Sequence, residues 1–572
     1  MTAISGIPLK FAAFLKEMLL ALCLGLTVPD IGARIAGIDG LTGLATYVLL
    51  LTLLWTALAA AAFVPIHWLR WIIGLVCSVA AYYFGVYERI TTQFLTYDAF
   101  INLQNSAAFA GDAIAQSQSA IIAELAPALV LLAAIVVPPK RRMPLPSWLL
   151  AAAPLLGTGL LAGMLFLRGG EGGRGQPASF VPLAYLLLAE YESMTGNLGP
   201  RLPVKLPRAA LRPTGNLVMV VDESIAGQYL DINSPAGVPT PLSRPWPGID
   251  IANYGIAASI NNCSVGTNVT LRFGGTRRDY QRYVATQPSI WEYAHSAGLR
   301  TVYIDAQRTG GALQNLMSDQ ERAEIDEFIQ FDAVPIQQRD MAAARELIRL
   351  LSRPEPKFIL VNKVGAHFPV HDKYPDNFMR YQPALPRGNF TNISDTGSRA
   401  GFGGTPEDWR QYRNSYRNTL LWSVGNFFEQ LLTKADLSQT TLIYTSDHGQ
   451  NLHERGNPGL YTHCTPTPAR EEGAVPLVVL QGSKLSGPDW AASLAQNRNR
   501  SSHYMIFPTL LGLMGYNASA VERVYGPSLM QAAHDPGSFN TLFNARLNRK
   551  PVWLTVEPAH LVQPPASDIG GH

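Results

Sequence analysis

Three places in this sequence of 572 residues put side chains that bind metals directly after a short apolar run. Asn216-Leu-Val-Met-Val-Val221 runs into Asp222-Glu223-Ser224. Lys357-Phe-Ile-Leu-Val361 is followed by Gly365-Ala-His367. Thr440-Thr-Leu-Ile-Tyr-Thr445 delivers Asp447-His448-Gly449, and Tyr461-Thr-His463-Cys464 lies downstream in the same loop. Carboxylates combined with imidazoles suit Zn²⁺ or Mn²⁺ better than Ca²⁺. One polar residue after a strand is ordinarily a solvated loop residue, and His367 alone would be read that way. A set at successive strand ends is not explained so simply. Chemistry at such a site also needs a nucleophile. Asn261-Asn-Cys-Ser-Val-Gly-Thr267-Asn-Val-Thr is a small, hydroxyl-rich stretch leading into a helix start, with Thr267 at or near that end. A metal would ionise its hydroxyl, and free N–H groups would receive a phosphoryl oxygen. An ordinary Ser/Thr helix cap is the alternative, and it would be preferred without the metal-binding residues.

The elements that must position these residues alternate. Helical spacing over 289–298, 340–351 and 416–434 is interleaved with buried-strand runs at 216–221, 300–304, 357–361, 440–445 and 474–480. This pattern predicts an α/β/α domain with a mainly parallel sheet covered on both faces. In such folds the loops at the carboxyl ends of the strands hold the site.

The N-terminal third is different. Hydrophobic residues make up 47% of the chain and charged residues only 15%, and the apolar excess is concentrated before residue 170. Five apolar runs, at about 11–29, 41–65, 68–87, 121–137 and 148–167, read as transmembrane helices. Lys10, Arg70 and the Lys140-Arg141-Arg142 link fall on one side of such a five-span arrangement. The positive-inside rule then puts the N-terminus in the cytoplasm and everything after Leu167 outside. The expected organisation is a transmembrane domain at 1–168, a linker at 169–213 carrying a surface-lying helix at about 180–191, and a catalytic domain at 214–572. A net charge of +3 without a long basic tract gives no case for nucleic acid.

Several stretches resemble one family. They are Val220-Val-Asp-Glu223-Ser, Cys263-Ser-Val-Gly-Thr267, Val364-Gly-Ala-His367-Phe-Pro, Tyr416-Arg-Asn418-Thr, Thr445-Ser-Asp447-His448-Gly, Tyr461-Thr-His463 and Ser502-His503-Tyr-Met-Ile-Phe-Pro. Their ordered set is similar to that of the membrane-anchored phosphoethanolamine transferases of Gram-negative bacteria, in the alkaline phosphatase superfamily. The resemblance implies an inner-membrane enzyme with a periplasmic catalytic domain. It implies Zn²⁺ held by Glu223, Thr267, Asp447 and His448, with Mn²⁺ or a second metal as alternatives. Thr267 would take phosphoethanolamine from phosphatidylethanolamine and pass it to lipid A or another envelope glycan or lipid. His367 and His463 would contact the phosphoryl group or a second zinc, or handle protons.

The sequence departs from that family in three places. The disulfide partner ten residues after Cys263 is replaced by Phe273, so Cys263 is left either bridged to Cys464 or free. Asp305-Ala-Gln307-Arg308 occupies the region where some members hold the donor head group, and Gln450 stands where Glu is usual. A sulfatase is excluded because Val265 and Thr267 replace the Pro and Arg of its signature. A glycerol-phosphate transferase using phosphatidylglycerol is the main alternative, and a non-catalytic membrane sensor or scaffold is the alternative of a different class.

Overall fold

The computed structural model describes residues 11–565 apart from 92–93, 106–117, 141–142, 197, 210–214, 388–403, 457–460, 466 and 533. Arg141 and Arg142 of the basic link, and the 213/214 boundary, therefore lie outside the described residues. The chain forms two compact units, Met1–Asn197 with Ala545–Lys550, and Leu198–Asn544 with Pro551–His572.

The first unit is helical: α1 Phe11–Ala36, α2 Leu41–Ala62, α3 His67–Thr91, α4 Tyr97–Asn105, α5 Gln118–Val136, α6 Ser147–Leu167 and α7 Val181–Thr195. Four of these, α1, α2, α3 and α6, are long and apolar enough to cross a membrane, and α5 contributes a shorter apolar stretch, Ala120–Val136. Leu49, Val79, Leu155 and Leu156 are exposed on their outer faces, as side chains covered by lipid would be. Two basic residues of this unit serve helix ends. Lys16 donates to the carbonyls of Ala134, Ile135 and Val137 at 2.6–3.1 Å. Arg70 donates to those of Val64 and Val136. Carbonyls in a last helical turn have no partner inside the helix and attract cations. The stretch expected at 180–191 forms α7, whose Val181, Ala184, Tyr185 and Leu188 are buried in one cluster with Leu54, Leu161 and Leu165.

The second unit is built on seven strands: β1 Asn216–Asp222, β2 Ile249–Ala258, β3 Arg300–Asp305, β4 Glu327–Gln330, β5 Lys357–Asn362, β6 Thr440–Ser446 and β7 Ala474–Gly482. Their order is β2-β7-β6-β1-β5-β3-β4. β1, β3, β4, β5 and β6 pair in parallel. β7 runs antiparallel to both β6 and β2, so β2 points the same way as β1. The sheet is mixed and mostly parallel. β1 is buried throughout, and its side chains alternate between two cores: Val218 and Val220 on one face, Leu217, Met219 and Val221 on the other. That alternation is the two-residue period of a strand covered on both sides.

The helices used below are α8 Ser264–Phe273, α9 Ile290–Ser296, α10 Ile336–Leu351, α11 Pro406–Leu420, α12 Phe427–Lys434 and α13 Ile506–Leu513. The single helix expected at 416–434 begins earlier and is divided. Thr405 starts α11 with a reciprocal cap to Asp408 and Pro406 in the first turn, and a wider turn over Leu421–Asn426 separates it from α12.

Candidate functional site

The carboxyl ends of β1, β2, β3, β5 and β6 share one edge of the sheet, and the site lies there. Glu223 follows β1, Asp447 and His448 follow β6, and β2 leads through 259–263 into α8. One oxygen from each of Glu223 and Asp447 and one nitrogen of His448 lie within 4.8 Å of one another, all buried. Asp447 Oδ1 accepts from the backbone N–H of Ser224 (3.0 Å) and of His448 (2.8 Å). Its Oδ2 is buried without a hydrogen-bond partner among the described residues. His448 Nδ1 faces the Gly449 carbonyl at 2.8 Å, which takes the ring proton there and aims the Nε2 lone pair at the cluster. Two carboxylates and an imidazole with one orphaned buried oxygen fit a divalent cation such as zinc.

The electrostatics agree. Burial and the facing Glu223 charge push the Asp447 carboxyl up to about 8. Burial opposes charge on His448, yet Asp447 and Glu223 push the imidazole up to about 10. Burial opposes charge on Glu223 too, and the His448 hydrogen bond nevertheless holds its carboxyl well below the usual range. The three groups compete for protons that a cation would displace.

Ser264 stands on this cluster. Its Oγ donates to Glu223 (3.1 Å to Oε1, 3.2 Å to Oε2) and lies 3.3 Å from His448 Nε2. It is the first residue of α8 and is half-buried, with Cys263 as the cap residue before it. Thr267 lies almost one turn further on. It is fully buried, and its hydroxyl bonds the backbone of Asn261, accepting from N at 3.2 Å and donating to O at 3.3 Å. The structure thus brings Glu223, Asp447 and His448 together, adds Ser264, and turns Thr267 back onto its own loop.

His463 stacks on His448, ring centres 4.4 Å apart. It is held by the Cys263–Cys464 disulfide and by the Cys464 N–H to the Asn262 carbonyl at 3.0 Å. Of the two states left open for these cysteines, the structure has the bridge. The turn carrying His367 packs on Glu223, whose carbonyl accepts from Ala366 N–H at 2.9 Å. Gly365 has φ +53°, and a Cβ there would come within 2.5 Å of the Glu223 carbonyl, so only glycine allows this approach.

Sequence reasoning missed three supports. Gln307, after β3, donates to Glu223 Oε2 at 3.1 Å and to the Lys363 carbonyl at 2.8 Å. Lys363, after β5, forms a fully buried ion pair with Asp222 at 2.6 Å. Ser224 holds φ +63°, a region that costs a non-glycine residue free energy and marks a position fixed by its surroundings. The signal for Gln307 was its place after a strand. Lys363 and Ser224 share that place, after β5 and β1, but neither residue type announces a supporting role.

A Sulfatase family model matches residues 258–516. A phosphoethanolamine transferase of Escherichia coli K12, EptA, is 28% identical over 167 residues, covering 27% of this chain and 27% of that protein. The Salmonella typhimurium EptA is 26% identical over a segment of the same length. The match thus spans about a quarter of the length of these curated relatives. The solved integral-membrane lipooligosaccharide phosphoethanolamine transferase A of Neisseria meningitidis matches with TM-score 0.60 and 17% identity, over 90% of this chain and 98% of that one; this likeness is one of fold. The Sulfatase model covers less than half of the chain, and with the ordered motifs, the mixed sheet and the clustered ligands the chain is similar to the alkaline phosphatase/sulfatase superfamily, the curated relatives named above being phosphoethanolamine transferases.

Proposed function

We propose that the chain transfers phosphoethanolamine from phosphatidylethanolamine to lipid A or another envelope glycan or lipid, with Ser264 as the hydroxyl that carries the group. The observation behind this reading is the position of Ser264 Oγ on Glu223 and His448 at the start of α8. Thr267, the hydroxyl favoured by motif spacing, is fully buried and bonded to Asn261.

Glu223, Asp447 and His448 would hold a divalent ion, which lowers the pKa of a hydroxyl and withdraws charge from phosphoryl oxygens. Ser264 Oγ attacks the donor phosphorus and loses its proton toward Glu223. The bond from phosphorus to the glycerol oxygen breaks, and diacylglycerol leaves with a proton supplied from the His463 or His367 side of the site. An acceptor hydroxyl then attacks the same phosphorus and gives its proton to that histidine side, the bond to Ser264 breaks, and Glu223 returns the proton that restores the serine hydroxyl. The N–H groups of the first turn of α8 orient phosphoryl oxygens. The exported catalytic domain at 214–572, the linker at 169–213 and five spans, with α5 as the fourth, belong to the same reading. At 19 residues, α5 is about 28 Å long, close to the thickness of the hydrocarbon core.

Mass spectrometry of lipids and glycans from cells with and without active enzyme tests the reaction. An acceptor gaining phosphoethanolamine as diacylglycerol accumulates is the expected result. A gain of glycerol phosphate would overturn the donor, and no added mass would overturn transfer.

A further inference from the structure

The first unit carries an open-mouthed cavity of about 480 Å³ that the proposed reaction does not use. Three of the helices that line it do so in one repeated way. Cys23 and Asp30 on α1, Ala81 and Glu88 on α3, and Leu131 and Glu124 on α5 all line it. Each pair is seven residues apart, which returns to the same helix face about 10 Å along the axis. α5 runs opposite to α1 and α3, as the bonds of Lys16 and Arg70 to its last turn require. The three carboxylates therefore share one level, and the apolar residues share a deeper one.

The rim is mixed in charge. Glu124 is paired with Arg89. Asp30 and Glu88 have no ion-pair or hydrogen-bond partner among the described residues. Both also line an adjoining chamber of about 260 Å³ that Arg174 borders. Two buried polar side chains open onto these spaces without a hydrogen-bond partner for one atom each. They are Ser179, 2% exposed, through Oγ, and Gln176, 6% exposed, through Oε1. Polar atoms buried among apolar helices cost free energy unless a partner reaches them.

These features select a ligand. A hydrocarbon alone would leave the carboxylates and Ser179 unpaired, and a metal ion would leave the apolar floor unfilled. An anionic lipid would set its phosphate beside Asp30 and Glu88 with Arg174 alone to offset them. An amphiphile carrying a primary ammonium, a phosphate and an acyl chain satisfies every wall. Its ammonium donates to Asp30 and Glu88, its phosphate faces Arg174, and a chain descends past Leu131. We propose that the membrane unit binds one aminophospholipid in this cavity. That this lipid is the donor for transfer rests on the function proposed above; its binding does not.

Native mass spectrometry of the full chain tests the site, using detergent micelles doped in turn with phosphatidylethanolamine, phosphatidylcholine and phosphatidylglycerol. Phosphatidylethanolamine is expected to be retained about tenfold better than the other two. D30N/E88Q should erase that preference. Ala128 of α5 also lines the cavity; A128F, which fills it and leaves every charge in place, should lower retention of all three lipids and carries the test if the double variant fails to fold. S264A should retain lipid like the unaltered protein. Equal retention of phosphatidylcholine or phosphatidylglycerol, or undiminished retention in A128F, would overturn the proposal. Lipid retained by a protein that transfers nothing would end the transferase reading and leave this site standing.

Discussion

At the scale of single residues, the decisive comparison is between two hydroxyls three positions apart. A helix turns about 100° per residue, so Ser264 and Thr267 share a face of α8, but only the first reaches past the helix end to Glu223. S264A is expected to lower transfer by at least about 10³-fold with little change in fold, whereas T267A keeps most of it; product formation by purified variants decides between them. D447N should release bound metal, read as zinc per chain by elemental analysis, because it removes a charge from a set of three ligands; full occupancy would remove Asp447 from the ligand set. The residues that end strands were legible in the sequence because chemistry and a strand boundary coincide there. Ser264 was not, since a serine beside a cysteine is indistinguishable from a cap until the helix start is fixed.

At the scale of elements, five of the seven sheet strands were legible, because each is a run of β-branched and apolar residues buried on both faces. β2 was not. It lies at the sheet edge, its register shifts between Asn253 and Ile256, and Gly255 at φ +78° interrupts the pattern. It is nevertheless the strand that carries the chain into the loop before α8. The Cys263–Cys464 bridge joins that loop to the segment bearing His463, closing 201 residues of chain. Its loss in C263S is expected to lower the stability of this unit by about 2–5 kcal/mol, measured as denaturant midpoints. Because the stacking partner of His448 is also released, transfer should fall further than the lost stability accounts for.

For the whole molecule, topology and stability both follow from where charge is placed. A reporter fused after Leu167 should be active only outside the cytoplasm, and cytoplasmic activity would overturn the five-span arrangement. His503 on the second unit is fully buried, 2.8 Å from Thr445 Oγ1, and burial pushes its imidazole down to about 3 from 6.5. The unfolded chain therefore binds a proton that the folded one refuses. This contribution costs nothing above pH 6.5, and it removes stability progressively as the pH falls from 6.5 toward 3, by a few kcal/mol at most. H503Q should flatten the stability profile of the full chain across that window, and an unchanged slope would show that the ring protonates in place. The expected divisions at 168/169 and 213/214 stand beside units that divide at 197/198, with Ala545–Lys550 returning to the first. Leu547 N–H donates to Glu192 at 3.0 Å, and a contact between residues 355 positions apart leaves no local pattern.

The bridge between Cys263 and Cys464 also orders events in time. Asp447, His448 and His463 all lie inside the ring of chain it closes, and Ser264 is the first residue within it. Such a bond does not persist in a reducing cytosol. With the export proposed above, a newly made chain would remain unlocked while in the cytoplasm and would gain its finished site only after crossing the membrane. Maturation, on this view, is a safeguard written into the covalent structure: the oxidant that closes the ring is also what licenses the enzyme.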